Sequence, residues 1–436
     1  MNITVVGLGY VGAVAVGVLG NGGHKVLGVD INRQKVISFQ QGICPFYEPG
    51  LSELISRGVE AGRIRFMHVD DVNGKLGELI LVSVSTPTQP YGGIDLSQVY
   101  STIHWIKECN PGEAVIVMKS TVTPGTGLRL VTEELRGTNL KYVCNPEFLR
   151  EGQAIQDWIH PTRIVIGGQD DEAIRMVRDM YAGIEAPVVV TDITTAEMTK
   201  YAANAFLAMK ISFINEIANL CDRIGANIDE VAQGIGLDPR IGPAFLRAGL
   251  AYGGSCFPKD ARALEFLSTM RGYSSELLRA VINVNNRQRL LPVQALQNVF
   301  SRLKGTRVAL LGLAFEPNTD DVREAPALDV ARLLSEEGAV VKAYDPKAME
   351  NARPQLPSEV ILCSSAMDAL HGAQAAIVAT EWSEFIELTW EEVLQAMDPP
   401  RFVFDGRNVL DGRKLVQLGF RYRGVGRSGP KWASPA

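Results

Sequence analysis

A chain of 436 residues, 46% hydrophobic and 21% charged, is too long for one ordinary core and too apolar to stay disordered, so two or three globular domains are expected. Its net charge of −6 leaves no basic face for a nucleic-acid backbone, and no apolar run reaches the length of a membrane span. Six scattered cysteines without a CxxC pair and five histidines without ligand spacing predict neither a disulfide framework nor a bound metal.

The chain opens with the β-branched run Asn2-Ile3-Thr4-Val5-Val6, with no basic or apolar leader ahead of it, which sets a cytoplasmic location as the expectation. Gly7-Leu8-Gly9-Tyr10-Val11-Gly12 then leads into an alanine- and valine-rich helix. In this strand-turn-helix setting Gly7 permits the tight turn, Gly9 lets a pyrophosphate approach the backbone, and Gly12 lets helix and strand pack closely. The next strand ends at Asp30, near the distance expected for the acid that holds the adenosine ribose hydroxyls, which favours NAD over NADP.

Further strands are expected at 79–84, at 114–118 and around Tyr142-Val143. They end in Ser85-Thr86-Pro87, Lys119-Ser120-Thr121 and Asn145-Pro146-Glu147. In an open parallel sheet these carboxyl ends line the ligand crevice, although such residues also end strands that bind nothing. Thr194-Thr195-Ala196-Glu197 reads as a capping box ahead of a proline-free helix reaching Gly225, about 45 Å long and suited to link domains and to dimerise. Lys200 and Asn204 lie at i and i+4 on one face of it.

Residues 251–264 read AYGGSCFPKDARAL. The glycine pair allows close backbone approach, and Lys259 and a helix start after Pro258 would both favour a thiolate at Cys256, while a packed, inert cysteine is the commoner fate of this residue type. A second α/β unit follows, with strands at Arg307–Gly312 and Val340–Tyr344 around a helix at 325–337, and later strands ending at Thr380-Glu381-Trp382 and at Asp405-Gly406-Arg407. It repeats the opening scheme without its glycine fingerprint, so it is expected to bind something other than NAD. Residues 428–436, SGPKWASPA, read as a frayed tail.

GLGYVG, KSTV at 119–122, NPEFLREG at 145–152, KYAANAFLA at 200–208, FLRAGLAYGGSCFPKD at 245–260, GLAFEPNTDDVREAP at 312–326 and FDGR at 404–407 together closely resemble the UDP-glucose 6-dehydrogenases of the nucleotide-sugar dehydrogenase family. The resemblance covers nearly the whole chain. It implies two Rossmann-like doubly wound domains joined by a central helical domain: an NAD-binding domain at 1–190, a central domain carrying the cysteine loop at 191–300, and a nucleotide-sugar domain at 301–436. It also implies a homodimer through the long helix, and oxidation of the sugar C6 alcohol of UDP-glucose to a carboxylate with two NAD per turnover.

By the same resemblance Cys256 is the nucleophile, and Lys200 and Asn204 point donors at the C6 oxygen. Asp260, Glu151 and a water held by Thr121 are the candidate bases, and Glu147 joins the catalytic set. Cofactor contacts are expected from Gly7, Gly9, Tyr10, Val11, Gly12, Asp30, Lys35, Thr86, Thr121, Glu151 and Arg323. Phe148, Leu149, Arg150, Phe245, Arg247, Tyr252, Gly253 and Arg407 are expected to shape the sugar-nucleotide pocket, with Arg240 reaching in from a partner subunit. One departure stands out: Glu316 occupies a position where the family has Lys. GDP-mannose 6-dehydrogenation is the near alternative. A single-step hydroxyacid or 6-phosphogluconate-type dehydrogenase, in which Cys256 merely packs, and an NAD-binding regulator are the distant ones.

Overall fold

The computed structural model describes residues 1–427 apart from Lys75, so the 428–436 segment expected to fray lies outside the described residues. The chain forms two compact units, Met1–Ala203 with Phe266–Tyr273, and Asn204–Glu265 with Ser274 onward.

The first unit is built on eight strands, β1 (Asn2–Val6), β2 (Lys25–Asp30), β3 (Ile64–His68), β4 (Leu79–Val82), β5 (Ala114–Met118), β6 (Leu140–Cys144), β7 (Ile164–Gly168) and β8 (Val188–Thr191), in the order 3-2-1-4-5-6-7-8. Its strands β4 and β5 are apolar throughout because both faces are covered. Val115 and Val117 enter one core with Leu79 and Leu81, while Ile116 and Met118 enter the other with Ile80 and Val82. The junctions are parallel except that of β6 with β7, so the parallel sheet expected from the sequence carries one reversal. The connection between those two strands, holding the short helix Ala154–Ile159, returns the chain in the opposite sense. Strand order turns back between β1 and β4, which puts the ligand crevice at the carboxyl ends of these strands.

In the second unit β9 (Arg307–Leu311), β10 (Val340–Tyr344), β11 (Ile361–Leu362), β12 (Ala375–Val378), β13 (Phe402–Asp405) and β14 (Arg421–Gly424) form an all-parallel sheet in the order 11-10-9-12-13-14. This is the order of the first six strands over again. The helix Pro326–Glu336 starts on a proline, whose missing N–H costs nothing there, and buries Val330, Ala331 and Leu334.

The long helix runs Ile193–Ile224, one residue off its expected start and end, but the expected capping box does not form. Asp192 is the cap, accepting hydrogen bonds from the Thr195 amide at 2.9 Å and the Thr195 hydroxyl at 2.5 Å. Glu197 turns instead to a distant segment, where its buried carboxylate accepts from the amides of Gly125 at 2.6 Å and Gly127 at 2.7 Å at the start of the short helix Thr126–Arg129. A carboxylate satisfying two orphan donors there does more than a local cap, whose donors water can also reach. Glu197→Ala is therefore expected to lower the unfolding free energy by about 2–3 kcal/mol. Urea melts check this, and a loss within about 0.5 kcal/mol would mean that water takes over both donors.

Candidate active site

In the first unit the expected cofactor residues gather along the carboxyl ends of neighbouring strands. Gly7 follows β1 with φ +91°, and a Cβ there would lie 2.6 Å from the Ser83 carbonyl oxygen. A Cβ on Gly12 would fall 1.9 Å from the Gly7 carbonyl oxygen, whereas one on Gly9 would meet nothing within 4 Å. The loop is thus closed at its two outer glycines and open at the middle one, which fits a pyrophosphate lying over Gly9 and the start of the helix Tyr10–Asn21. Asp30, at the end of β2, accepts from the Leu8 amide at 2.8 Å and the Asn32 amide at 2.9 Å, and Lys35 reaches the same carboxylate at 3.4 Å. It braces the glycine loop while its oxygens keep further lone pairs for ribose hydroxyls. Tyr10 stacks on Phe46, ring centroids 4.5 Å apart, and donates to the Tyr47 carbonyl. Its side chain packs, so any cofactor contact falls to its backbone. Val11 follows in the same first turn. Thr86 lies buried beyond β4 and Thr121 half-buried beyond β5.

At the end of β6 the carboxylate of Glu147 accepts from Lys200 Nζ at 2.9 Å and from the Leu149 amide at 2.6 Å, and both charged side chains are buried. The Lys200 ammonium lies 5.4 Å from the centre of the Phe148 ring. Arg150 makes a two-pronged pair with Asp157 at 2.9 and 2.6 Å. Glu151 is half-buried, in a loop held by Glu48, whose oxygens accept from the amides of Gly152 at 2.7 Å and Ala154 at 2.8 Å. Burial, only partly offset by those donors, pushes the Glu48 carboxyl up to about 6. Sequence reasoning missed Glu48, as it missed Arg163, whose guanidinium lies 3.5 Å over Phe148.

In the second unit Cys256 sits half-buried just before the helix Phe257–Met270, and its carbonyl accepts from the Asp260 amide at 2.8 Å. The thiol is therefore at a helix N-terminus, with the Ser255 hydroxyl 3.5 Å from its sulfur. Lys259, expected to favour the thiolate, is paired with Asp260 at 2.6 Å, so much of its charge is compensated. The buried Asp260 also accepts from Asn204 Nδ2 at 2.6 Å, which leaves that amide one further hydrogen. Phe257 meets Phe245 at 6.1 Å and Tyr252 at 6.0 Å edge-on, and the Tyr252 backbone is clamped at both N–H and C=O by Asn285. Burial pushes the Tyr252 phenol up to about 12.

Other expected residues hold structure. A Cβ on Gly253 would lie 2.5 Å from the Glu324 carbonyl oxygen, so this glycine allows backbone packing. Arg407 donates to the carbonyls of Ala379 at 2.7 Å, Phe315 at 3.0 Å and Ala251 at 3.3 Å, pinning the cysteine loop to the loop after β9. Arg323 is paired with Asp321 and Arg240 with Asp238, each at 2.6 Å, and Arg240 and Arg247 are exposed. Glu316 is half-buried. Among the described residues no His, Cys, Asp or Glu cluster could hold a metal ion.

A glycine loop opening a doubly wound sheet, an acid closing its second strand, and a half-exposed cysteine at a helix N-terminus define a dinucleotide-dependent dehydrogenase with a second nucleotide-sized unit. Residues 1–185, 194–287 and 309–412 match the NAD-binding, central and UDP-binding domains of the UDP-glucose/GDP-mannose dehydrogenase family, and the chain belongs to that family. It is 40% identical to the UDP-glucose 6-dehydrogenase TuaD of Bacillus subtilis over 100% of this chain and 95% of that one. It is 41% identical to the UDP-glucose 6-dehydrogenase of Rhizobium meliloti over 98% of this chain and 100% of that one. A UDP-glucose dehydrogenase structure from Pyrobaculum islandicum superposes with a TM-score of 0.89 at 38% identity, covering 98% of this chain and 97% of that one.

Burial raises the Glu147 carboxyl, but Lys200, the Leu149 amide and the charge of Lys119 outweigh it, so the group sits below its ordinary value. Its contribution to stability is therefore present above the ordinary glutamate range and is lost as pH falls through the lowered value. Glu147→Gln leaves the Lys200 ammonium buried without a counter-charge and is expected to cost about 3–5 kcal/mol near neutral pH. That gap to the unsubstituted protein should narrow as pH is taken down to about 4. Denaturant melts across this range decide; a gap that does not change with pH would show that the pair is not what stabilises the unit.

Proposed function

We propose that the chain oxidises the C6 alcohol of UDP-glucose to the carboxylate of UDP-glucuronate, in the cytoplasm, with two NAD reduced per sugar. The observation that carries this reading is Cys256, a half-exposed thiol at a helix N-terminus with Asn204 and Asp260 bonded together on the elements next to it. The division of labour we assign is cofactor binding to 1–190, catalysis and dimerisation to 191–300, and the sugar nucleotide to 301–436.

The glycine loop and Asp30 would hold NAD, which would supply the electron acceptor for both oxidations. The chain's own residues manage protons, charge and the carbon–sulfur bond. A base, drawn from Asp260, Glu151 and a water on Thr121, takes the hydroxyl proton as the alcohol becomes an aldehyde. The Cys256 thiolate adds to the aldehyde carbon, and the negative charge passes to the C6 oxygen, where Lys200 and the remaining Asn204 N–H donate. Once the thiohemiacetal is oxidised to a thioester, water adds, the carbon–sulfur bond breaks, and the carboxylate forms with return of the thiolate. Holding the aldehyde on sulfur keeps it from escaping between the two oxidations.

Glu316, where the family resemblance implies Lys, keeps a second nucleotide sugar such as GDP-mannose as an alternative substrate. Comparing kcat/KM for the two sugar nucleotides separates them. With UDP-glucose, two NADH should form per sugar consumed, and one would point to a single-step dehydrogenase. Cys256→Ser is expected to stop after the first oxidation or to trap an ester, since an alkoxide leaves less readily than a thiolate. Normal formation of two NADH by that variant would exclude a covalent role for Cys256.

The long helix also exposes Phe206, Phe213 and Leu220, spaced every seventh residue and therefore on one side, with 59%, 49% and 49% of their surfaces open. This stripe supports pairing with a second copy of the chain. Phe213→Glu should convert a dimer to a monomer in light scattering, and an unchanged mass would place the contact elsewhere.

A further inference from the structure

Lys119 is buried to 3% exposure at the end of β5, yet among the described residues no carboxylate takes a hydrogen bond from it. Its Nζ donates to Asn145 Oδ1 at 3.1 Å and to the Tyr181 hydroxyl at 3.1 Å, and it lies 5.0 Å from the centre of the Trp158 ring. Tyr181 closes the triangle by donating to the same Asn145 oxygen at 2.7 Å, and Asn145 Nδ2 donates to the Val165 carbonyl at 2.8 Å. A methionine would fill that volume without the desolvation cost of an ammonium, so the charge itself calls for a reason. Two residues beyond Asn145 stands Glu147, the carboxylate that holds Lys200.

We propose that Lys119 is a positioning residue for the oxidation: it fixes Asn145 and so the Asn145-Pro146-Glu147 turn, and thereby aims the Glu147 carboxylate at Lys200. The groups acting on Glu147 are the Lys200 ammonium, the Leu149 amide, the Lys119 charge and, from β7's leading edge, the Arg163 guanidinium. Three cations thus act on one carboxylate. Lys200 is the member placed to touch substrate; Lys119 acts only through its neighbours, from inside the sheet. The inference rests on the reading of Lys200 as a donor to the C6 oxygen, and it predicts a defect in turnover and not in binding, because the groups assigned to hold NAD and UDP are untouched.

The experiment compares Lys119→Met, Lys119→Arg, Tyr181→Phe and Lys200→Met in the full chain, with kcat and KM followed over pH using UDP-glucose and NAD. Lys119→Met should lower kcat at least about tenfold with both KM values within about twofold. It should also move the acid limb of the kcat profile upward by about one unit, as a carboxylate does on losing a nearby cation. Lys119→Arg, which keeps the charge, should recover most of the rate and the original acid limb. Tyr181→Phe, a milder change that leaves the lysine in place, should lower kcat in the same direction and serves as the test if Lys119→Met does not fold. An unshifted acid limb and unchanged kcat in Lys119→Met, or an unchanged kcat in Tyr181→Phe where it stands in, alongside an inactive Lys200→Met would overturn the proposal and leave the reading of Lys200 intact. Full activity in Lys200→Met would overturn that reading and the proposal with it.

Discussion

The Lys200 ammonium and the Glu147 carboxylate, 2.9 Å apart and both buried, impose the constraint around which the first unit is arranged. Neither charge could be left there alone, since an unpaired buried ion costs more than the unit can spare. The pair therefore needs the end of β6 and the second turn of the long helix in fixed register. Glu147 is held from the Leu149 amide, and the helix is anchored by Asp192 and by Glu197 reaching the segment after β5.

In the second unit the same economy appears with neutral and charged groups mixed. Asp260 is shared between Lys259, its chain neighbour, and Asn204, 56 positions earlier. The carboxylate is satisfied from two sides, so the start of the cysteine helix cannot turn without breaking one of these bonds. Arg407, spending its donors on three carbonyls, fixes the loop that leads into that helix. The cysteine gains orientation from the Asp260 amide on its carbonyl and from the bonds that hold Asp260 and the loop before it.

What the sequence made legible was local. The glycine loop, Asp30, the strand cores and the second α/β unit were readable because each is written in a few adjacent residues or in a strict alternation of buried positions. The capping box at Thr194 was misread because Glu197 satisfies its chemistry at residues 72 and 70 positions away, which no local pattern reports. Glu48, and the buried bonding of Lys119 within a motif that was otherwise noted, escaped notice for the same reason, their partners lying up to 106 and 62 positions distant. Arg323 and Arg407 were read as ligand contacts from the motifs that hold them, while their guanidinium groups are already engaged by Asp321 and by backbone carbonyls. A cation in a motif signals that something anionic or polar is near, and only the fold says whether that is a ligand or the chain itself.

The two sheets share more than strand order. Gly312 follows β9 with φ +97° and donates to the Tyr344 carbonyl at 2.8 Å, as Gly7 follows β1 and donates to the Val29 carbonyl at 2.8 Å. Asp345, standing where Asp30 stands, accepts from the amides of Leu313 at 2.7 Å and Ala314 at 3.0 Å and also from the Trp382 indole at 3.1 Å. The same local scaffold thus occurs twice, and in the second sheet the acid that ends the second strand is engaged by the framework. With Asp345 already spent on two amides and an indole, the loop after β9 that leads to Glu316 is held by the chain itself and needs no bound nucleotide to keep its shape.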